Sequence, residues 1–284
     1  MATFQNQATL SYNGVTTNSN VTTGELLIGL SATKSALSGE YTAGGTVVYT
    51  VSIVNSGASA VDGLTLVDNL GAYTVSDGIA VYPLDYVDGT LRLYVNGVLS
   101  ETPAVSANPE LTVSGINIPA GANALVVYEA TPNEFAPLYN GGTITNVASV
   151  SGATLAETIT ASDTVSARSE AALTIAKAIC PDTVTDNGVL TYTFVIQNSG
   201  AEAADAAAEI VITDTFNPTL SDITVTIDGS PLPASAYTYD EASGVFATVA
   251  GAIIVPGATF MQNAQTGAFT VTPGVTVIKI SGTV

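Results

Sequence analysis

One sequence unit occurs twice in this chain, and that repetition constrains the architecture more than any single residue does. Around Tyr49 the chain reads GTVVYTVSIVNSG, ending at Gly57, and around Tyr192 it reads GVLTYTFVIQNSG, ending at Gly200. Upstream, LSATK ending at Lys34 corresponds to TIAK ending at Lys177, and downstream LTLVD ending at Asp68 corresponds to IVITD ending at Asp214. The first copy closes with ITNVASV, residues 144–150, whereas no such segment follows in the second copy up to Val284. The pattern reappears as FQNQATL, residues 4–10, with Asn6 in the place of Asn146. A first strand that fits the last domain is expected to join chains head to tail.

Each copy carries alternating apolar residues bounded by turn chemistry. Val47, Tyr49, Val51 and Ile53 fall on one strand face before Asn55-Ser56-Gly57, and Leu190, Tyr192, Phe194 and Ile196 repeat this before Asn198-Ser199-Gly200. Asn96-Gly97 and Asp228-Gly229 are hairpin-turn dipeptides. Apolar residues make up 46% of the 284 positions, enough for two packed cores, and no long helical periodicity occurs. The expected fold is all-β: two tandem immunoglobulin-like β-sandwiches, the second completed by an N-terminal donor strand from a neighbouring subunit. The expected boundaries are a donor strand over 1–14, a flexible linker over 15–25, a first sandwich over 26–152, a connector over 153–170, and a second sandwich lacking its last strand over 171–284.

Charge and composition remove several function classes. A net charge of −19 with five basic residues argues against nucleic acid or an anionic membrane as partner. Without histidine the chain has no Ser-His-Asp triad, Cys-His pair or His-ligated metal. A single cysteine, Cys180, excludes an internal disulfide and reads as a small buried apolar residue. The acidic stretch Asp182 to Gly188 lacks the spacing of a calcium loop. No metal, no cofactor and no enzymatic activity on an external substrate are expected. The first residues lack the basic and apolar regions of a secretory signal, so export is expected either after removal of one or without one.

Two-residue alternation places Lys34 on a strand face with Ile28, Leu30 and Ala32, and Lys177 with Leu173 and Ile175. Asp68 follows Leu64 and Leu66, Asp214 follows Ile210 and Ile212, Asn146 lies between Ile144 and Ala148, and Asn6 shares a face with Phe4, Ala8 and Leu10. Each set therefore turns a lysine, an acid and an amide toward a sandwich core. A lone buried lysine costs several kcal/mol unless paired or neutralised. Two readings are open. In one, the Lys amine attacks the Asn side-chain amide, assisted by the Asp, to form an isopeptide bond with release of ammonia. In the other, the three form a buried ion pair with a hydrogen-bonded amide and no chemistry.

The run of these motifs in fixed order resembles the repeat of the family of unknown function number eleven, found in tandem in bacterial surface proteins. The resemblance spans copy 1 from about residue 26 to 152, and copy 2 without its last strand. It implies an intramolecular bond between Lys34 and Asn146 with Asp68 as catalytic acid. Carried to the second domain, it implies an intermolecular bond between Lys177 and Asn6 with Asp214 as acid, although no asparagine follows in copy 2 itself. The chain is also similar to subunits of clostridial-type spore appendages. These resemblances imply a structural subunit on an extracellular cell or spore surface, whose partner is a homopolymer of itself, with anchoring or tip proteins unspecified. The alternative is a monomeric surface adhesin or ligand-binding module whose N-terminal strand folds back in cis.

Overall fold

The computed structural model describes the chain apart from residues 1, 27, 28, 76, 77, 153, 154 and 156; for 2–4 and 24–26 it describes the backbone alone. Ile28, and the side chain of Phe4, therefore lie outside the described residues. The protein is all-β and divides into two compact units. Unit 1 comprises Met1–Pro137, Thr143–Ala167 and Ala264–Ala268, and unit 2 comprises Leu138–Gly142, Arg168–Asn263 and Phe269–Val284.

The chain opens with β1 (Ala2–Asn6), β2 (Thr9–Tyr12), β3 (Val15–Asn18) and β4 (Thr22–Leu26). These form one antiparallel hairpin, β1 against β4 and β2 against β3. Residues 15–25, expected as a flexible linker, are thus mostly strand. The cause is Asn13-Gly14, whose φ values of 47° and 78° give a type I′ turn between β-branched runs. Asn96-Gly97 and Asp228-Gly229 make the same turn further on.

Unit 1 continues with β5 (Leu30–Ala36), β6 (Glu40–Tyr41), β7 (Val47–Asn55) and β8 (Val61–Asp68). Short strands β9 (Tyr73–Thr74), β10 (Ala80–Val81), β11 (Leu84–Tyr86), β12 (Arg92–Val95), β13 (Val98–Leu99) and β14 (Ala104–Ala107) follow. Four longer ones complete it: β15 (Leu111–Ile118), β16 (Asn123–Pro132), β17 (Thr143–Ser151) and β18 (Ile159–Ala167). One sheet has the order β13-β12-β16-β7-β5, and the other β14-β15-β8-β17-β18-β6. Between them lies the core, with Tyr49, Val51, Ile53, Leu64, Leu66, Val126, Tyr128 and Val150 fully buried; each large side chain there contributes about 1.5–3 kcal/mol. Strand β18 falls in the stretch expected as a connector. It belongs to the sandwich because Ala161, Val165 and Ala167 alternate inward.

The repeated Asn-Ser-Gly has a structural cause. Buried Asn55 donates through Nδ2 to the carbonyls of Ser59, Ile118 and Pro119 and accepts from Gly57 N–H. Asn198 donates to Glu202 and Pro256 carbonyls and accepts from Ala172 and Gly200 N–H. At Gly200 a Cβ would stand 2.0 Å from the Glu170 carbonyl, so the glycine is sterically required.

Unit 2 contains β19 (Leu173–Cys180), β20 (Val189–Asn198), β21 (Thr213–Thr215), β22 (Ser221–Ile227) and β23 (Ser230–Pro231). It continues with β24 (Tyr237–Asp240), β25 (Val245–Thr248), β26 (Thr259–Gln262), β27 (Phe269–Thr272) and β28 (Gly274–Thr283). The sheet β19-β20-β28-β22-β23 repeats β5-β7-β16-β12-β13, and β21-β25-β24 repeats β8-β15-β14. Its core centres on Tyr192, Phe194, Phe216, Phe246, Ile278 and Ile280, with Tyr192 stacked on Phe216 at 4.6 Å between ring centroids. Among the described residues no strand takes the place of β17 or β18. All eight residues of β19 are consequently exposed.

Candidate functional site

Unit 1 gathers Lys34, Asp68 and Asn146 in its core, from β5, the end of β8 and β17. All three are buried, and the Lys34 and Asp68 side chains have no solvent exposure. Lys34 Nζ donates to Asp68 Oδ2 in an ion pair and to the Tyr128 hydroxyl at 2.6 Å. That hydroxyl donates to Asp68 Oδ2 at 2.6 Å and accepts from Asn146 Nδ2 at 3.1 Å. One phenol oxygen therefore holds the amine, the acid and the amide together.

The backbone completes the set. Gly71 N–H donates to Asn146 Oδ1 at 3.3 Å, and Leu70 N–H donates to Asp68 Oδ1 at 3.1 Å. Both donors lie in the turn after β8, so the strand that supplies the acid also supplies a donor to the amide carbonyl. Tyr49, directly across from Tyr128 on the neighbouring strand, forms an aromatic wall 4.4 Å from Lys34 Nζ. The two rings stack at 5.6 Å.

Burial pulls the Lys34 amine below the ordinary lysine value of 10.5, opposed by the Asp68 charge and hydrogen bond. Burial, followed by the Asp68 charge, pushes the Tyr128 phenol well above its usual value. Tyr128 is therefore a protonated donor throughout the physiological range. An amine eased toward its neutral form, an acid and an amide polarised at its oxygen thus lie within one buried cluster. Nothing in the sequence marks Tyr128, because a tyrosine on an alternating apolar face reads as core packing; its place opposite Tyr49 emerges only with the strand register.

Unit 2 reproduces half of this. Lys177 on β19 pairs with Asp214 on β21, over the rings of Tyr192 at 4.5 Å and Phe194 at 5.6 Å. The Lys177 side chain is 41% exposed, where that of Lys34 is sealed. The amine turns to Asp214 and the rings of Tyr192 and Phe194, but burial does not follow, since no strand among the described residues covers β19. Ile280 stands opposite Tyr192 as Tyr128 stands opposite Tyr49, so the phenol has no counterpart. Cys180, expected to be buried, is a free and exposed thiol for the same reason as Lys177: it ends the uncovered strand.

Asn6 lies on β1 with its backbone opposite Thr22, exposed along with Ala8 and Leu10. The hydrogen bond of Lys177 runs to Asp214, and no side-chain amide among the described residues is recorded on the pair. Among the described residues, no cluster of three His, Cys, Asp or Glu could hold a metal ion, and no helix is long and apolar enough to cross a membrane.

No protein-family model matches the chain, and no curated protein matches it. Solved structures similar to it include BcpA, the major pilin subunit of Bacillus cereus, at 10% identity over 96% of this chain and 73% of that one, with a TM-score of 0.36. The full-length major pilin SpaD from Corynebacterium diphtheriae is 10% identical over 85% of this chain and 58% of that one, also with a TM-score of 0.36. A collagen-binding domain from a Staphylococcus aureus adhesin is 12% identical over 48% of this chain and 96% of that one, with a TM-score of 0.29. At these identities and scores the likeness is one of general architecture alone.

Proposed function

We propose that this chain is a structural subunit of an extracellular fibre, assembled head to tail by donor-strand complementation and locked by Lys–Asn isopeptide bonds within and between subunits. The observation that carries the proposal is the incomplete second sandwich. Leu173, Ile175 and Ile179 of β19 are 40%, 57% and 45% exposed, and among the described residues β21 is paired on one side only. In unit 1 the edge of β8 is filled by β17, with Ala148 opposite Asp68. An open edge beside exposed apolar residues is a template for another strand. A neighbour's N-terminal segment carries the required pattern, with Asn6 as the amide. An interface of this kind is heterologous and does not close, so it propagates.

In the proposed reaction, neutral Lys34 Nζ attacks Asn146 Cγ while Gly71 N–H stabilises the charge growing on Oδ1. Asp68 takes the proton that the amine loses as the C–N bond forms and returns it to the departing nitrogen. The C–NH2 bond breaks, ammonia leaves, and one amide replaces another with no oxidant or cofactor consumed. Packing that holds the groups in place supplies most of the barrier reduction. The protein thus acts only on itself.

Boiling assembled material in detergent and reductant, followed by gel electrophoresis, tests this reading. The expected result is a ladder at multiples of the chain mass, with each digest containing a branched peptide between the N-terminal segment and the one bearing Lys177. Dissociation to single chains refutes the covalent joint, and a branched peptide confined to single chains favours the cis-folded monomer.

A further inference from the structure

We infer that the surface of unit 2 formed by β19 and the free edge of β21 takes the whole N-terminal hairpin of a second copy, both arms, rather than one strand. This rests on the head-to-tail reading above and specifies what the donor is.

The first ground is what unit 2 lacks. In unit 1 the edge of β8 is completed by β17 and then β18, and it is β18 that closes the sandwich toward β5. The Asp163 carboxylate of β18 accepts the Ala36 N–H of β5 at 2.6 Å, tying one sheet to the other. A single strand added to β21 would leave that second closure unmade and β19 still open at its edge.

The second ground is the hairpin itself. Its two arms have the antiparallel sense of β17 and β18, and Thr22 stands opposite Asn6 as Asp163 stands opposite Asn146. Its faces are chemically unlike. On one face Thr9 donates to Asn18, and Ser11 and Thr16 share a hydrogen bond, so the polar groups satisfy one another. On the other, Leu10, Tyr12 and Val15 are 65%, 73% and 69% exposed. In β17 and β18 the same division exists with its apolar face covered: Thr145 and Thr164 share a hydroxyl hydrogen bond outside, while Ile144, Ala148, Val150 and Val165 are buried inside.

An isolated two-stranded hairpin with a bare apolar face is marginal in water. The exposed Leu173, Ile175 and Ile179 of unit 2 are a surface of matching character. Docking the hairpin would cover both faces at once, place Asn6 on the strand beside β21 near Lys177 and Asp214, and seal the Lys177 side chain from water. Thr22 then occupies the place of Asp163, so the closure on β19 loses a carboxylate and relies on neutral hydrogen bonds.

Amide hydrogen exchange of wild-type fibres against the unassembled chain tests this. If the whole hairpin is donated, exchange over residues 15–26 and over β19 slows by on the order of a hundredfold or more on assembly, together with 2–12. Protection confined to 2–12 and β21, with 15–26 still exchanging freely, overturns the two-arm donor while leaving donor-strand assembly standing. No added protection in either arm overturns both. Val15→Asp provides a second measurement: a two-arm donor requires it to raise the concentration at which fibres form, whereas a one-arm donor leaves that concentration unchanged.

Discussion

At the scale of single residues, the reaction proposed for unit 1 turns on how Tyr128 shares its hydroxyl. It accepts from both Lys34 and Asn146, which brings the amine and the amide to one oxygen, and it donates to Asp68. In the proposed reaction Asp68 carries the proton transfer, so Asp68→Ala is expected to leave the full sequence mass by intact-mass spectrometry, without loss of ammonia. Tyr128→Phe removes positioning worth about 1 kcal/mol or more. It is expected to slow the loss by about tenfold without abolishing it. Equal abolition in both variants would make the phenol a proton carrier instead. The pH dependence has a definite sign. Attack needs the neutral amine, whose fraction grows with pH, and burial lowers Lys34 below 10.5. In chain refolded from denaturant across a pH series, the rate of ammonia loss should therefore climb with pH and level off below 10.5, not at it.

At the scale of strands, equivalent lysines differ by what lies over them. Lys34 and Asp68 are sealed by β17 and β18, and removing one partner of such a buried pair costs about 3–5 kcal/mol. Lys177 and Asp214 are partly exposed, and such pairs contribute about 0–1 kcal/mol. In unassembled chain, made with Asn146→Ala so that no bond in unit 1 masks the comparison, Lys34→Ala should therefore lower the denaturant midpoint several times more than Lys177→Ala. Equal effects would mean that β19 is covered in solution. This contrast also marks the limit of what the sequence discloses. Alternation was enough to read the direction in which Lys34, Asp68, Asn146, Lys177 and Asp214 point, because strand period fixes the face. It could not disclose burial, which depends on β17 and β18, strands without a counterpart among the described residues of unit 2. The hairpin escaped notice since its Thr- and Asn-rich second arm has the composition of a linker; only the Asn13-Gly14 turn marks it. Strand β18 was hidden likewise by small residues, whose inward alternation is weak in a stretch of Ala, Ser and Thr.

At the scale of the molecule, the proposed assembly, in which an N-terminal element completes the open second copy of a neighbour, separates two functions that one strand would otherwise combine. On that proposal docking depends on apolar side chains and strand pairing, and permanence on one amide. Asn6→Ala keeps Ala8, Leu10 and Tyr12, and with them the surface that drives insertion, but removes the electrophile. Fibres of this variant are expected to form with normal appearance under the electron microscope, yet to fall to single chains in hot detergent. Lys177→Ala should behave alike, because it removes the nucleophile of the same joint. Lys279, exposed on the outer face of β28, has no partner in the motif, so Lys279→Ala should leave the ladder unchanged. The three variants together separate the possibilities. A ladder that survives Asn6→Ala but not Lys177→Ala would place the acceptor amide elsewhere in the chain. A ladder lost in all three would point to altered assembly rather than altered chemistry. Only loss with Asn6→Ala and Lys177→Ala, and retention with Lys279→Ala, fits a joint made between the amide of one subunit and the amine of the next.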